Sequence, residues 1–471
     1  MNGPPDAEPT PQPAPDPGAG SPAGDATGPE AALPPDAALP SDGATGPGAV
    51  ADQVAEVGPG TGRDQPWHLR FLHHLWSANA ITVTALAILL ALAVGAVLMV
   101  VSDPRVRGTY GYFFARPSDA LTASWTKISD AYATLFRGAI VDPGAVARAL
   151  EGTGTWAVAL RPISETLTSA TPLVFTGLAF ALAFRGGLFN IGVQGQAILG
   201  ALGAGLAGFL LPLPVVLHLV VALLAGALAG AAWGFVPGFL KARTGAHEVI
   251  TTIMLNSVAA ILIGWVIVQS WARDPARQDP ISQRVEEAAR LPRLFAWLEP
   301  GLRVHLGIAV AVLVVAAVAW LLNRSRFGFE LRAVGLNPSA ARSAGISVTG
   351  TYVQLMVIAG VLAGLGGASM VLGTAYVLTA AVIGSVGFDG ILVGLLGRAR
   401  PWGVLAAALL FGALQAGGRA MQTGAMISLE LVQVIQALIV IFVAAPALVK
   451  ATFRLRAARL GRVTGVAARG W

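Results

Sequence analysis

Ten stretches of the chain stay apolar for roughly 20 residues with few charges. They lie at about 81–101, 163–184, 187–210, 213–236, 247–269, 304–322, 351–376, 381–397, 402–421 and 428–449. A bilayer core of about 30 Å takes about 20 residues of helix to cross. The pattern therefore predicts an all-α polytopic membrane protein with about ten transmembrane helices spread over 81–449. Two long polar connections, about 102–162 and 270–303, mix charges of both signs, whereas the short connections carry mainly arginine and lysine.

That asymmetry sets the expected topology. With the N-terminus inside, the inside segments hold Arg63 and Arg70, Arg185, Lys241 and Arg243, Arg324, Arg326, Arg332 and Arg342, then Arg398 and Arg400. Residues 450–471 add six basic residues and no acid. The positive-inside rule then predicts ten spans in a cell membrane with both termini cytoplasmic. Composition agrees, since 55% of the 471 residues are hydrophobic and 12% charged, against about 25% charged in soluble domains.

Residues 1–62 are different: rich in Pro, Ala and Gly, with nine acids and no Lys or Arg. Such a segment has little to bury and is expected to be disordered. Residues 63–80, with Arg, His and Trp, suit the cytoplasmic headgroup level. Removing the acidic segment leaves 31 basic against 16 acidic residues. Basic cytoplasmic loops account for that excess without nucleic acid.

Residues 185–205, RGGLFNIGVQGQAILGALGAG, place Asn190, Gln194 and Gln196 among seven glycines inside one span. An amide left unpaired in lipid costs several kcal/mol, so the segment is expected to be buried among helices or to border a water-filled path. Asn190 and Gln194 fall on one helical face with Ala197, Ala201 and Gly205; Gln196 falls on its neighbour with Gly192, Gly200 and Gly203. Packing through amides and bordering a polar solute's route both remain open. A second Gly-interrupted stretch, GSVGFDGILVGLLGR at 384–398, centres on Asp389. An acid in a span is a functional candidate, and capping a helix at the outer interface is the competing account. Two interrupted segments in halves of opposite direction predict inverted repeats with the path between them.

Several chemistries find no support. The three lysines follow Thr126, Leu240 and Val449, so no Gly-Lys phosphate loop exists. HEVIT at 247–251 is not a zinc motif. Thr244 and Glu248 there read as helix capping and dipole chemistry. Cysteine is absent. No catalytic arrangement stands out, and carboxylates within spans are sparse for an ion-coupled carrier, which stays, with a channel, the alternative to a permease powered from outside the chain.

The connection 323–350, NRSRFGFELRAVGLNPSAARSAGISVTG, is long for a link. It predicts a short helix capped by Asn337 with Pro338 in first position. Gly335 and Gly345 are expected at flanking turns, and Ala340, Ala341, Ala344 and Ile346 form a compact apolar face. This is the form of a part that docks into another protein. Together with FRGGLFNIGVQGQAILGALGAG, TGAHEVITTIMLNSVAAIL and VGFDGILVGLLGRARPWG, it resembles the permease subunits of nucleoside ABC importers, a branch related to sugar and branched-chain amino acid permeases.

The resemblance covers roughly 80–450. It implies that 323–350 is a coupling loop in which Arg332, Ala333, Gly335, Asn337, Ala340, Ala341 and Gly345 contact an ABC ATPase. It also implies a second permease subunit, an extracellular solute-binding lipoprotein and a nucleoside as solute, or else a simple sugar. ATP and Mg would be used by the ATPase, and this chain would bind no cofactor. Asn190, Gln194, Gln196, Asn256 and Asp389 are the candidate path residues. His247 stands where the family usually has Asn, and the acidic segment 1–62 is not part of the family pattern.

Overall fold

Most of the sustained apolar stretches fold into helices. The computed structural model describes residues 80–297, 299–445 and 452. The expectations for 1–62 and 63–79, and for the basic stretch 450–471 apart from Thr452, fall outside these residues. The helices are α1 (Ala80–Ser102), α2 (Pro104–Thr109), α3 (Pro117–Ala139), α4 (Pro143–Leu150), α5 (Trp156–Arg185), α6 (Val193–Leu210), α7 (Val215–Thr244) and α8 (Glu248–Val266). They continue as α9 (Gly307–Arg324), α10 (Arg326–Leu336), α11 (Pro338–Ser343), α12 (Val348–Met370), α13 (Val386–Leu396), α14 (Pro401–Gly424) and α15 (Leu429–Ala444). A π-helical turn, Val371–Ala375, extends α12.

Local chemistry sets several starts. Asp103, Asp142 and Asn337 each accept backbone N–H bonds just ahead of a proline at the first helical position. Thr244 does not cap α8 as the sequence suggested. Its hydroxyl bonds back to Leu240, while Glu248 stands in the first turn of α8 as expected and also pairs with Lys241 at 2.8 Å.

Eight of these helices are long and apolar enough to cross a membrane: α1, α5, α6, α7, α8, α9, α12 with its π turn, and α14. The ninth expected span, 381–397, is helical only from Val386 to Leu396. Eleven residues rise about 16 Å, half of a bilayer core. The interruption is physical: the chain leaves α12 at Tyr376, which is left-handed at φ 60°, and turns through 377–385 before α13 begins. The third span is shortened likewise, because residues 186–192 are turns and α6 starts at Val193. Within 102–162, expected only as a connection, lie α2, α3 and α4; α3 packs on α14, with Lys127 bonding the Ala425 carbonyl at 3.2 Å.

Helices α5 and α6 are the most enclosed, each with 83% of its apolar window buried, while α1, α8 and α9 turn most of theirs outward at 28%. Outward-facing leucines, valines and tryptophans on those helices are what a lipid-facing surface requires. The closest seam joins α7 to α12. Gly226, Gly230, Gly234 and Gly238 repeat every fourth position on α7 and lie against Met356, Gly360, Gly364 and Ala368. A Cβ on Gly230 would strike the Gly360 carbonyl, and one on Gly360 the Gly230 carbonyl. In lipid, where apolar contact gains little, such backbone proximity holds helices together.

Candidate functional site

Both interrupted segments converge on one side chain. Gln194, in the first turn of α6, accepts the Gly387 N–H through Oε1 at 2.8 Å and donates through Nε2 to the Gly384 carbonyl at 2.7 Å. One amide thus satisfies both sides of the break before α13, where backbone groups lack helical partners. Asn256 does the same for the other break. It accepts from Gly195 N–H at 2.8 Å and donates to the Ile191 carbonyl at 3.0 Å, tying α8 to the start of α6.

Asn190 lies in the turn before α6, not on the helical face expected for it, and is fully buried. It donates to Gln196 at 3.1 Å, so two residues assigned to different faces meet. The remaining atoms of that pair, Asn190 Oδ1 and Gln196 Nε2, are buried without partners among the described residues.

Asp389 sits in the first turn of α13, near the middle of the bundle by the length of that helix. It accepts from Ser385 at 3.1 Å and from Gln415 Nε2 of α14 at 3.2 Å. It also lines a cavity of about 340 Å³ with Ser385, Gln415, Arg419, Gln433 and Gln436. A second cavity, of about 270 Å³, shares Gln415 and Arg419 and reaches Glu165, Thr168, Arg303, His305 and Thr374. Glu165 pairs with Arg303 at 3.2 Å and with Arg419 at 3.5 Å, and Arg419 donates to Ser169 at 2.8 Å. The two N–H groups of Arg303 and Val304 both bond Ser164 Oγ at 2.9 Å, which holds this strap on the start of α5.

Of the five candidate path residues, Asp389 lines a cavity, Gln194 and Asn256 hold the two breaks, and Asn190 and Gln196 bond each other. Glu165, Arg303, His305, Gln415 and Arg419 were not singled out in the sequence. Only Arg419, a lone cation in an apolar run, gave a signal.

At the opposite end, α10 and α11 project between α9 and α12. Asn337 caps α11 by accepting from Ser339 and Ala340 at 3.0 and 3.1 Å. Gly345, at φ +82°, makes the turn after it. Gly335 makes no turn; it lies within α10 against the Arg185 carbonyl, where any Cβ would collide. Ala341 is buried beneath α11 with Val334 and Val348, and Arg332 and Ala333 are half-buried. Asn337, Ala340 and Gly345 are exposed, together with Leu336, Pro338, Ser339 and Arg342. Arg185 in turn donates through Nε to the Ala399 carbonyl at 2.6 Å, in the turn from α13 to α14.

The chain belongs to the family of permease components of branched-chain amino acid transport systems, whose model matches residues 163–444. It is a multi-pass membrane protein. It is 38% identical over 283 residues to the guanosine ABC transporter permease protein of Bacillus subtilis, covering 60% of this chain and 80% of that one. It is 36% identical over 291 residues to a nucleoside ABC transporter permease protein of Lactococcus lactis, covering 60% and 79%. A glucose ABC transporter permease protein of Haloferax volcanii is 36% identical, covering 59% and 75%. No solved structure matches the chain.

Proposed function

We propose that this chain is the membrane-spanning permease subunit of an ATP-driven importer for nucleosides. The observation that carries the reading is the identity of 38% and 36%, over most of their lengths, to permeases named for guanosine and nucleosides. The cavities at Asp389 and Glu165 supply what such a solute needs, namely amides, hydroxyls and paired charges at membrane depth.

The basic end of the bundle, with Arg185, Lys241, Arg324 and Arg398, faces the cytoplasm by the positive-inside rule, and both termini with it. A partner ATPase uses ATP and Mg, and this chain binds no cofactor of its own. The exposed residues around α11 dock on that ATPase. A second permease subunit completes the path, and an extracellular lipid-anchored binding protein delivers solute.

The mechanism follows from the contacts. Closure of the ATPase moves α10 and α11. Gly335 bears on the Arg185 carbonyl, Arg185 holds the turn before α14, and α13 runs from that turn to the Gln194 clamp. Motion at the basic end is thereby carried to the break at 376–385, which borders the cavities.

Deleting the gene for the partner ATPase should abolish uptake of labelled guanosine by cells that carry this chain. Uptake that persists would overturn the importer reading in favour of an ion-coupled carrier. The glucose relative supports one other reading, a simple-sugar importer. Accumulation of labelled ribose or glucose but not guanosine would select it.

A further inference from the structure

Asp389 caps nothing. Ser385, ahead of α13, makes no side-chain cap bond, and Asp389 Oδ2 accepts from the Ser385 hydroxyl and the Gln415 amide rather than from a backbone N–H. The capping account drawn from the sequence therefore does not hold. Asp389 Oδ1 has no hydrogen-bond partner among the described residues, yet it is not sealed inside protein. Its side chain lines the cavity of about 340 Å³ between α13, α14 and α15.

Two amides share that lining. Gln415 commits Nε2 to Asp389, which leaves its Oε1 free. Gln436, on α15, is only 8% exposed, and neither of its polar atoms has a partner among the described residues or is sealed in protein. An amide left unpaired at membrane depth is costly, so a wall of this kind calls for a polar occupant. An acid within a span faces such a hollow for the same reason.

The free groups narrow the occupant. Asp389 Oδ1 and Gln415 Oε1 are both acceptors, on side chains already bonded to each other. Two hydroxyls on adjacent carbons of a sugar ring can donate to such a pair, as carboxylates elsewhere take ribose hydroxyls. The Gln436 amide sets a donor beside an acceptor, the pattern that pairs with the edge of a base. A volume of about 340 Å³ lies within the range of about 300–1,000 Å³ for small-molecule sites.

We propose that this cavity is a ribonucleoside site, in which Asp389 and Gln415 accept the 2′- and 3′-hydroxyls and Gln436 pairs with the base. The proposal rests on the importer reading above and adds to it a location and a selection rule: ribonucleosides are held in preference to their 2′-deoxy forms.

The test uses the full-length chain with its membrane and ATPase partners in nanodiscs, without the extracellular binding protein. Tritiated guanosine is the probe, with 2′-deoxyguanosine and ribose as competitors. Guanosine should bind, and 2′-deoxyguanosine should compete about tenfold more weakly, since a site built for a hydroxyl penalises its loss. Asp389→Asn keeps the shape but gives up the charge. It should weaken guanosine about tenfold and bring the two nucleosides close to equal. An acid that only supports the fold would weaken both alike and leave their ratio unchanged, and that result overturns the proposal. Gln436→Leu should weaken guanosine about tenfold with the ratio kept, because it removes a contact to the base.

Should Asp389→Asn not assemble, the wild-type complex decides alone: equal competition by guanosine and 2′-deoxyguanosine sinks the site. Ribose that competes as well as guanosine gives the hollow to a free sugar and overturns the role of Gln436. An absence of guanosine binding in nanodiscs from complexes that import it in cells also removes the site. These results leave the importer standing. If wild-type cells take up no nucleoside at all, the importer reading itself fails.

Discussion

The two flanks of α12 are built on opposite terms. Toward α7 it meets a column of glycines, backbone against backbone, with no charge in the contact. Toward α5, α13 and α14 it ends in a π turn beside a hollow lined by Glu165, Arg303, Arg419 and Gln415, which adjoins a second hollow at Asp389. Both lie at membrane depth, where lipid gives neither an apolar driving force nor a hydrogen bond. The contrast teaches where this fold places rigidity and where it tolerates polar atoms. The glycine seam leaves no freedom to slide without a clash. The polar side holds its irregular backbone with single amides, which can exchange partners.

Four substitutions and a titration can break or sharpen that contrast, in order of expected effect on stability. Gly230→Leu should be the most damaging, since its side chain must displace the Gly360 backbone. A cost of about 3 kcal/mol or more is expected, read as loss of monodisperse protein on extraction. Recovery of normal protein would mean the seam is not as tight as described. Gln194→Leu strands the Gly384 carbonyl and the Gly387 N–H together, at about 2–4 kcal/mol. Its melting temperature should fall by several degrees and uptake should cease; an unchanged melt removes the clamp.

The titration comes third. The His305 imidazole resists protonation down to about 4, whereas the unfolded chain takes up the proton near 6.5. Because the folded value is the lower one, stability is full above 6.5 and should decline as pH falls from there toward 4. Comparing wild type with His305→Gln at pH 7 and pH 5 isolates that slope, and parallel melting curves would refute it. Glu165→Gln ranks fourth, since both its arginine partners are about half exposed. It should cost under about 1 kcal/mol while altering uptake, as measured by labelled guanosine. Last, Leu336→Ser at the exposed tip beside α11 should leave the melt within about 0.5 kcal/mol of wild type yet reduce uptake. It is a cleaner probe of docking than a bulky residue at Gly335, which would collide with Arg185 inside the chain itself.

The sequence disclosed most of the scaffold because a span announces itself through unbroken apolarity. The cap of Asn337 on α11 was equally local, needing only Asn-Pro and two residues beyond. The half-length of α13 was only partly legible: the glycines from 384 marked an interruption, but residues 376–383 are as apolar as a helix and gave no sign that the helix waits until Val386. The glycine column on α7 could be seen at 226, 230, 234 and 238, but not its counterpart at Gly360 and Gly364, because pairing across more than a hundred residues is a property of the fold. The same holds for the cavity. Arg303 and Arg419 lie 138 and 254 residues from Glu165, which both contact; Glu165 and Arg303 each read alone as an ordinary charge near a membrane surface, and the lone Arg419 names no partner. Asn190 and Gln196 were placed apart by assuming a helix from 187, whereas the helix begins at Val193, six residues later.

The stub of α13 has one more implication. Gly384, Ser385 and Phe388 are exposed around its start, halfway through the thickness of a bilayer. Acyl chains cannot solvate uncoiled backbone there, so that surface has to look onto water or be roofed by other polypeptide. The few described residues at the start of α13 therefore fix a demand on their surroundings that apolar side chains alone would never make.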